Sequence, residues 1–342
     1  MFAAITNIAC HLPETVLTNE ELAPLAEHWT PEKIYEKTGI RERHIAADDE
    51  CASDLAFHAA ERLLQAKTIA RADIDYVVFC TQLPDYPLPT TACLLQDRLG
   101  LPTTCGAVDI NLGCSGYVYA LGLVQGLIET GQATNVLLLT GETYSKVLRD
   151  DDVSVRTLFG DAGTATLVQA VTTDDRLLGP YVYGSDGRGG PNLMLKRHAW
   201  RNATVPAGVE LASDSSNGDD EFLTMNGPEI FTFTLKAVPA AVKALLQRAE
   251  RSIEEVDLFV FHQANRYMLT HLRNKLGIDE DRFVIAMEHV GNTVSSTIPY
   301  ALSEAQRTGR LTPGKLVMLV GFGVGYSWGA TLLRWHGAPL PE

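Results

Sequence analysis

Residues 63–82, LLQAKTIARADIDYVVFCTQ, and residues 245–264, LLQRAERSIEEVDLFVFHQA, are two versions of one pattern. Leu63/Leu245, Leu64/Leu246, Gln65/Gln247, Asp75/Asp257, Val78/Val260 and Phe79/Phe261 are identical at a constant offset of 182. Downstream, YAL at 119–121 returns at 300–302, and NVLLLTG at 135–141 resembles KLVMLVG at 315–321, with offsets of 181 and 180. A similarity that keeps its register over this length marks two copies of one structural plan. Each copy reads as helix, apolar strand, loop, helix, apolar strand, and such alternation predicts parallel sheets covered on both faces.

The expected organisation is therefore an α/β layered fold with two halves, 1–172 and 173–342, related by a pseudo-twofold axis. Residues 177–225 are rich in Gly, Asn, Asp and Ser and show little periodicity. They are expected to form a long surface insertion, of the kind that serves as a lid.

Composition removes several function classes. The chain has 342 residues, 46% hydrophobic and 20% charged, which is ordinary for a globular protein. The opening MFAAITNIACHLPETV lacks the features of a secretory signal, and no run reaches the ~18 apolar residues of a membrane span. A cytoplasmic location with no membrane association is expected. A net charge of −14 argues against general nucleic-acid binding, which needs surplus Lys and Arg. Cys10, Cys51, Cys80, Cys93, Cys105 and Cys114 form no CxxC pair and no metal-ligand spacing, so no metal site and no disulfide framework is expected.

In α/β proteins, residues just past the carboxyl ends of strands meet in a common crevice. Three polar residues hold such places. Cys114 follows AVDINLG and opens the helix GYVYALGLVQG, His262 follows VDLFVF, and Asn292 lies in HVGNTVSSTIPYAL. In the repeat register His262 falls opposite Cys80, and Asn292 lies three residues before the position opposite Cys114. A thiol at a helix start faces unpaired N–H groups and the positive end of the dipole, so Cys114 is expected to be an activated sulfur. An imidazole and a carboxamide nearby are suited to donate to an oxyanion or enolate.

The motifs GCSG around Cys114, HQAN at 262–265, HVGNT at 289–293, GFGVGYSWG at 321–329, TGIRERHIA at 38–46 and LFGDAGTATL at 158–167 resemble those of the 3-oxoacyl-(acyl carrier protein) synthase III family of the thiolase superfamily. The resemblance spans nearly the whole chain, with the motifs in family order. It implies a homodimeric, thiolase-like αβαβα fold with Cys114 as the acyl-accepting nucleophile and no cofactor. It further implies that an acyl carrier protein is a partner, and that His262 and Asn292 hold the enolate formed when a malonyl thioester loses carbon dioxide. GFGVGYSWG lacks the third glycine of a dinucleotide loop. It is read instead as a tight turn beside the nucleophile, with Gly323 and Gly325 permitting close approach and, together with Cys114, supplying oxyanion N–H groups, and with Phe322 as packing.

Several positions depart from the family pattern. Lys33 and Lys37 stand where the housekeeping enzymes carry a tryptophan and an arginine against the coenzyme A adenine, and Val153 stands where a second arginine is usual, with Arg156 nearby. An ammonium neither stacks on a purine as an indole does nor offers a planar fork. Pro228 in MNGPE replaces an asparagine. Leu88 matches the position from which a dimer mate closes the acyl tunnel, commonly as phenylalanine. Arg266, Arg273 and Lys275 are expected to form a basic patch for an acidic carrier protein, with Lys196, Arg197 and Arg201 as a second cluster. The leading expectation is a decarboxylating condensing enzyme. Transfer of the acyl group to an alcohol, amine or malonyl-like acid, and a non-catalytic acyl-binding subunit, are the alternatives.

Overall fold

A computed structural model describes residues 1–25, 27–196 and 222–340. Strand β1 (Phe2–His11) leads into the small ladder of β2 (Thr15–Thr18) and β3 (Glu42–Ile45), with helices α1 (Asn19–Leu22) and α2 (Pro31–Thr38) between them. Helix α3 (Ala52–Gln65), β4 (Tyr76–Cys80), α4 (Thr91–Arg98), β5 (Gly106–Ile110), α5 (Gly116–Glu129), β6 (Asn135–Glu142), α6 (Val153–Arg156) and β7 (Ala162–Val171) follow. The remainder comprises β8 (Leu178–Ser185), β9 (Leu193–Leu195), β10 (Leu223–Met225), α7 (Gly227–Ala249), β11 (Leu258–Phe261), α8 (Arg266–Leu276), α9 (Thr297–Arg307), β12 (Leu316–Gly323) and β13 (Ser327–Arg334).

The two main sheets share one topology. The first is ordered β1-β7-β6-β4-β5 and the second β8-β13-β12-β11. In both, the first three strands pair antiparallel and the next pair is parallel. Among the described residues β5 has no matching strand; at its place the second sheet has an isolated bridge between Phe259 and Phe283. The sheets are thus mixed, not parallel throughout as the apolar runs suggested. A strand covered on both faces reads as a continuous apolar run whichever way it points.

Helices α5 and α9 touch both sheets and form a central layer, α3 and α4 cover the outside of the first sheet, and α7 covers the outside of the second with α8 packed against it. The result is a five-layer αβαβα stack. Sequence explains which helix goes where. α5, GYVYALGLVQGLIE, carries no charged residue before Glu129 and is buried along most of its length, as a middle layer demands. α3 instead buries Ala52, Leu55, Ala56, Ala59, Ala60, Leu63 and Leu64 on one side and shows its polar residues to solvent. Among the described residues no helix is long and apolar enough to cross a membrane.

The expected insertion at 177–225 begins too early. Leu178–Ser185 is β8, bonded to β13 as the edge of the second sheet. Its Gly179, Pro180 and Gly184 imitate a loop, but an edge strand tolerates proline because one side of its ladder is unpaired. β9 and β10 pair as a small hairpin-like ladder. Residues 197–221, on which most of the lid expectation falls, lie outside the described residues, as do Arg197 and Arg201.

Candidate active site

Cys114 lies in the turn between β5 and α5. Gly116 N–H donates to Gly113 O at 2.7 Å to close that turn, and Ser115, the N-cap, is tied through its Oγ to Ser327 Oγ of the other half at 2.6 Å. β12 runs directly against it. A Cβ on Gly321 would stand 2.9 Å from Cys114 O, and one on Gly323 would stand 2.7 Å from Cys114 Cβ and 2.9 Å from its Sγ. Glycine at these two places lets the second half approach the nucleophile turn.

The helix start does not bring the thiol's pKa below its ordinary value. Burial pushes Cys114 up to about 12, and the nearby Glu142 adds to the rise. The backbone N–H groups of Cys114 itself and of Val324 act in the opposite direction. Desolvation of the charged form therefore outweighs the dipole. The two amides aimed at sulfur are those an acyl oxyanion would use, and the one from β12's end belongs to Val324, between Gly323 and Gly325.

His262 follows β11 and donates its backbone N–H to Val320 O at 2.8 Å. Its ring is buried, with Phe322 edge-on at 5.4 Å. Burial drives the imidazole pKa down to about 3, so the ring is neutral at neutral pH. Nδ1 lies 2.7 Å from Thr297 Oγ1, which donates to Val294 O at 2.9 Å. Only when the Thr297 hydroxyl turns from Val294 O to Nδ1 does the ring proton sit on Nε2, the tautomer that donates to substrate. The rest of HQAN is structural. Gln263 spans Phe261 O, Val284 O and Ala286 N, and Asn265 caps α8 through Met268 N at 2.8 Å.

Asn292 is pinned to the LFGD segment, donating from its backbone N–H to Leu158 O at 2.7 Å and accepting from Gly160 N–H at 3.1 Å. Its Oδ1 accepts from Val294 N–H at 3.0 Å. That bond fixes the carboxamide and leaves Nδ2 as the donor. Val294 adopts φ of 53°, a left-handed conformation that costs a β-branched residue on the order of 1–3 kcal/mol and marks the turn as constrained. Around Cys114 gathers an apolar cluster of Leu83, Tyr144, Val155, Leu193, Leu223 and Ile230, among others, which can receive an acyl chain.

Sequence reading missed a buried polar group in this site. Glu142 ends β6 with its carboxyl fully buried, bonded to Ser295 Oγ at 2.8 Å and to Gln82 N–H at 3.2 Å. It lies near Cys114, Cys80 and Tyr144. Its only sequence signal is a lone acid at the end of NVLLLTGE.

The expected carrier contacts do not assemble as a free basic patch. Arg266 is bonded to Tyr35 Oη at 2.7 Å and to Glu288 at 2.8 Å, Arg273 pairs with Glu280 at 3.0 Å, and Lys275 donates to Leu235 O at 2.6 Å. Arg156 pairs with Asp150 at 2.5 Å. Lys33 donates to His28 O at 2.9 Å, and Lys37 lies over the Trp29 ring at 4.5 Å. An indole is therefore present in this region, but with a lysine on its face. Lys196 is exposed. Leu88 is 75% exposed on the single chain, next to the exposed Tyr86.

Residues 108–187 match the model of 3-oxoacyl-(acyl carrier protein) synthase III, and residues 246–335 match that family's C-terminal model. A β-ketoacyl-(acyl carrier protein) synthase III of Xylella fastidiosa is 36% identical over 335 residues, 98% of this chain and 99% of that protein. The chain belongs to the 3-oxoacyl-(acyl carrier protein) synthase III family. A crystal structure of a 3-oxoacyl-(acyl carrier protein) synthase III superposes with a TM-score of 0.93 at 52% identity, covering 98% of this chain and all of that one. The priming β-ketosynthase of the R1128 polyketide pathway superposes at 0.87 with 28% identity, covering 100% of this chain and 97% of that one. The thiolase-like layered architecture of the family is the one described above.

Proposed function

We propose that the protein is an acyl-thioester condensing enzyme that works through an acyl group on Cys114. What supports this reading is a buried thiol that takes the Val324 amide beside β12, whose Phe322 packs on His262, and that shares an apolar cluster with Val294, whose N–H holds Asn292 Oδ1. Cys114 sulfur attacks the first thioester, the carrier thiol leaves with the proton, and the amides of Cys114 and Val324 hold the oxyanion. A malonyl thioester then loses carbon dioxide. The electron pair of the broken C–C bond becomes an enolate whose oxygen faces His262 Nε2 and Asn292 Nδ2. Enolate carbon attacks the acyl-enzyme, a 3-oxoacyl thioester forms, and the Cys114 thiolate is released and reprotonated.

Neutral His262 suits this step, since a neutral imidazole donates without adding a charge that needs solvation. A carrier protein is the favoured acyl donor, because Lys37 lies over one face of the Trp29 ring and competes there with a stacked adenine, and Lys33 is tied to the backbone. A homodimer is favoured by the open edge of β5, where Val108 is exposed, and by exposed Leu88, Tyr86 and Leu123, since an unpaired apolar edge needs cover.

The test is to offer a panel of acyl thioesters, on coenzyme A and on carrier protein, and follow intact mass before and after a malonyl thioester is added. Acyl-enzyme formation followed by a 3-oxoacyl product is expected. Acylation with discharge to an alcohol or amine instead, and none to the malonyl thioester, would replace condensation with simple acyl transfer.

A further inference from the structure

Behind Cys114 lies a buried carboxyl group that the condensation above does not use. Glu142 closes β6 and is wholly buried, yet its contacts come from two distant parts of the chain. Ser295 Oγ, from the loop that carries Asn292, lies at 2.8 Å, the backbone N–H of Gln82 reaches both oxygens at 3.2 and 3.3 Å, and Thr81 Oγ1 stands at 3.5 Å. Every one of these partners is neutral, and among the described residues no cation pairs with the carboxyl.

Two further contacts connect it to the nucleophile. Gln82 Oε1 accepts from Tyr144 Oη at 2.7 Å and fills the space beside Gly113, where a Cβ would come within 2.2 Å of it. Gly113 begins the turn that presents Cys114. Ser295 Oγ also lies 3.4 Å from Cys80 O, so a protonated Glu142 can donate to Ser295 Oγ while that hydroxyl turns to the carbonyl. The acid form thus satisfies every member of the group, and it joins the end of β4, the nucleophile turn and the Asn292 loop.

We propose that Glu142 is a positioning residue of the reaction, which as a neutral acid braces the Cys114 turn against the Asn292 loop and as a carboxylate opposes negative charge on the Cys114 sulfur. The titratable groups facing it are Asp161 from the start of β7, Tyr144 after β6, Cys80 from β4 and Cys114 before α5. All are acids, so no neighbouring charge offsets its ionisation, which only the Ser295, Gln82 and Thr81 hydrogen bonds favour. Burial pushes its own pKa up to about 8, which places the change within reach of an activity profile. The inference rests on Cys114 being the group acylated.

The experiment is the rate of Cys114 acylation, mapped to its peptide, from pH 6.5 to 9.5 in the full-length wild type and in Glu142→Gln. In the wild type the gain with rising pH should flatten near pH 8, as each new Glu142 charge resists the thiolate. Glutamine keeps the shape and cannot ionise, so the variant's rate should go on rising, and the ratio of variant to wild type should grow by on the order of tenfold across the range. Parallel profiles would overturn the proposal and leave Glu142 a structural group, while absence of any adduct on Cys114 in the wild type would instead overturn the reading of the site. If Glu142→Gln does not fold, Ser295→Ala serves. Loss of that donor raises the carboxyl's proton affinity and should move the flattening to higher pH, and an unmoved bend would overturn the proposal.

Discussion

Cys80 and Glu142 stand at the ends of β4 and β6; His262 and Phe322 stand at the matching places of β11 and β12. The strand order and directions around the two pairs are the same, but the chemistry is opposed. Acids crowd the first end, which also holds the Cys114 turn, and a base against an aromatic edge occupies the second. Burial acts on both in the same sense. It raises Cys114 to about 12 and Glu142 to about 8 and lowers His262 to about 3, so at neutral pH all three are uncharged. The resting site is thus buried and neutral, and in the proposed reaction its N–H donors face the atoms where negative charge develops. Such preorganisation avoids the cost of reorienting solvent during the reaction.

The acid end is open to a test of stability. Glu142 has a folded pKa of about 8, above the unfolded carboxyl near 4.5. A raised carboxyl contributes most stability below its unfolded pKa, and that contribution is lost as pH rises through the folded value. Wild-type stability should therefore fall between about pH 5 and 8, and Glu142→Gln should lack this component, which is worth roughly 3–5 kcal/mol for a shift of this size. Chemical denaturation at the two pH values measures it. Asp161, raised to about 6, contributes a smaller fall at the acidic end in both proteins. Identical slopes for wild type and variant would mean that the two ends do not differ as described.

At the basic end, His262→Ala and Asn292→Ala should each lower malonyl decarboxylation by on the order of 10²-fold, the usual scale for one oxyanion donor, while Cys114 still accepts an acyl group. The two half-reactions are followed separately, by carbon dioxide release and by intact mass. Loss of acylation in His262→Ala as complete as in Cys114→Ala would make the imidazole the base for the thiol. A smaller effect sharpens the same point. Thr297→Val removes the hydroxyl that can donate to Nδ1 and leaves that nitrogen to bond Val294 O with its own proton, so Nε2 loses its hydrogen. Decarboxylation should drop by about tenfold, with recovery in Thr297→Ser. An unchanged rate would show that Thr297 does not set the tautomer.

Much of this was legible in the sequence, for physical reasons. A repeated register of apolar runs reports two equivalent sheets, and polar residues at strand ends single out candidates for a crevice, here Cys114, His262 and Asn292. Apolar continuity does not encode strand direction, so the antiparallel β1-β7-β6 arrangement was not visible. β8 was mistaken for loop because an edge strand accommodates Gly179 and Pro180. Glu142 escaped notice because its partner Ser295 lies 153 positions away and nothing in NVLLLTGE marks it as buried. Arg266 and Arg273 looked like a patch because Glu288 and Glu280, which engage them, lie beyond the helix that carries both. The helix-start argument for Cys114 failed through magnitude, since a dipole effect is felt within one turn whereas burial removes all solvation of the thiolate.

The most direct test of the central claim is peptide mapping after the protein is exposed to an acyl thioester and quenched. A single adduct is expected, on the peptide containing Cys114, although Cys93 is the more exposed thiol. An adduct on Cys80 or Cys93 with Cys114 unmodified would contradict it.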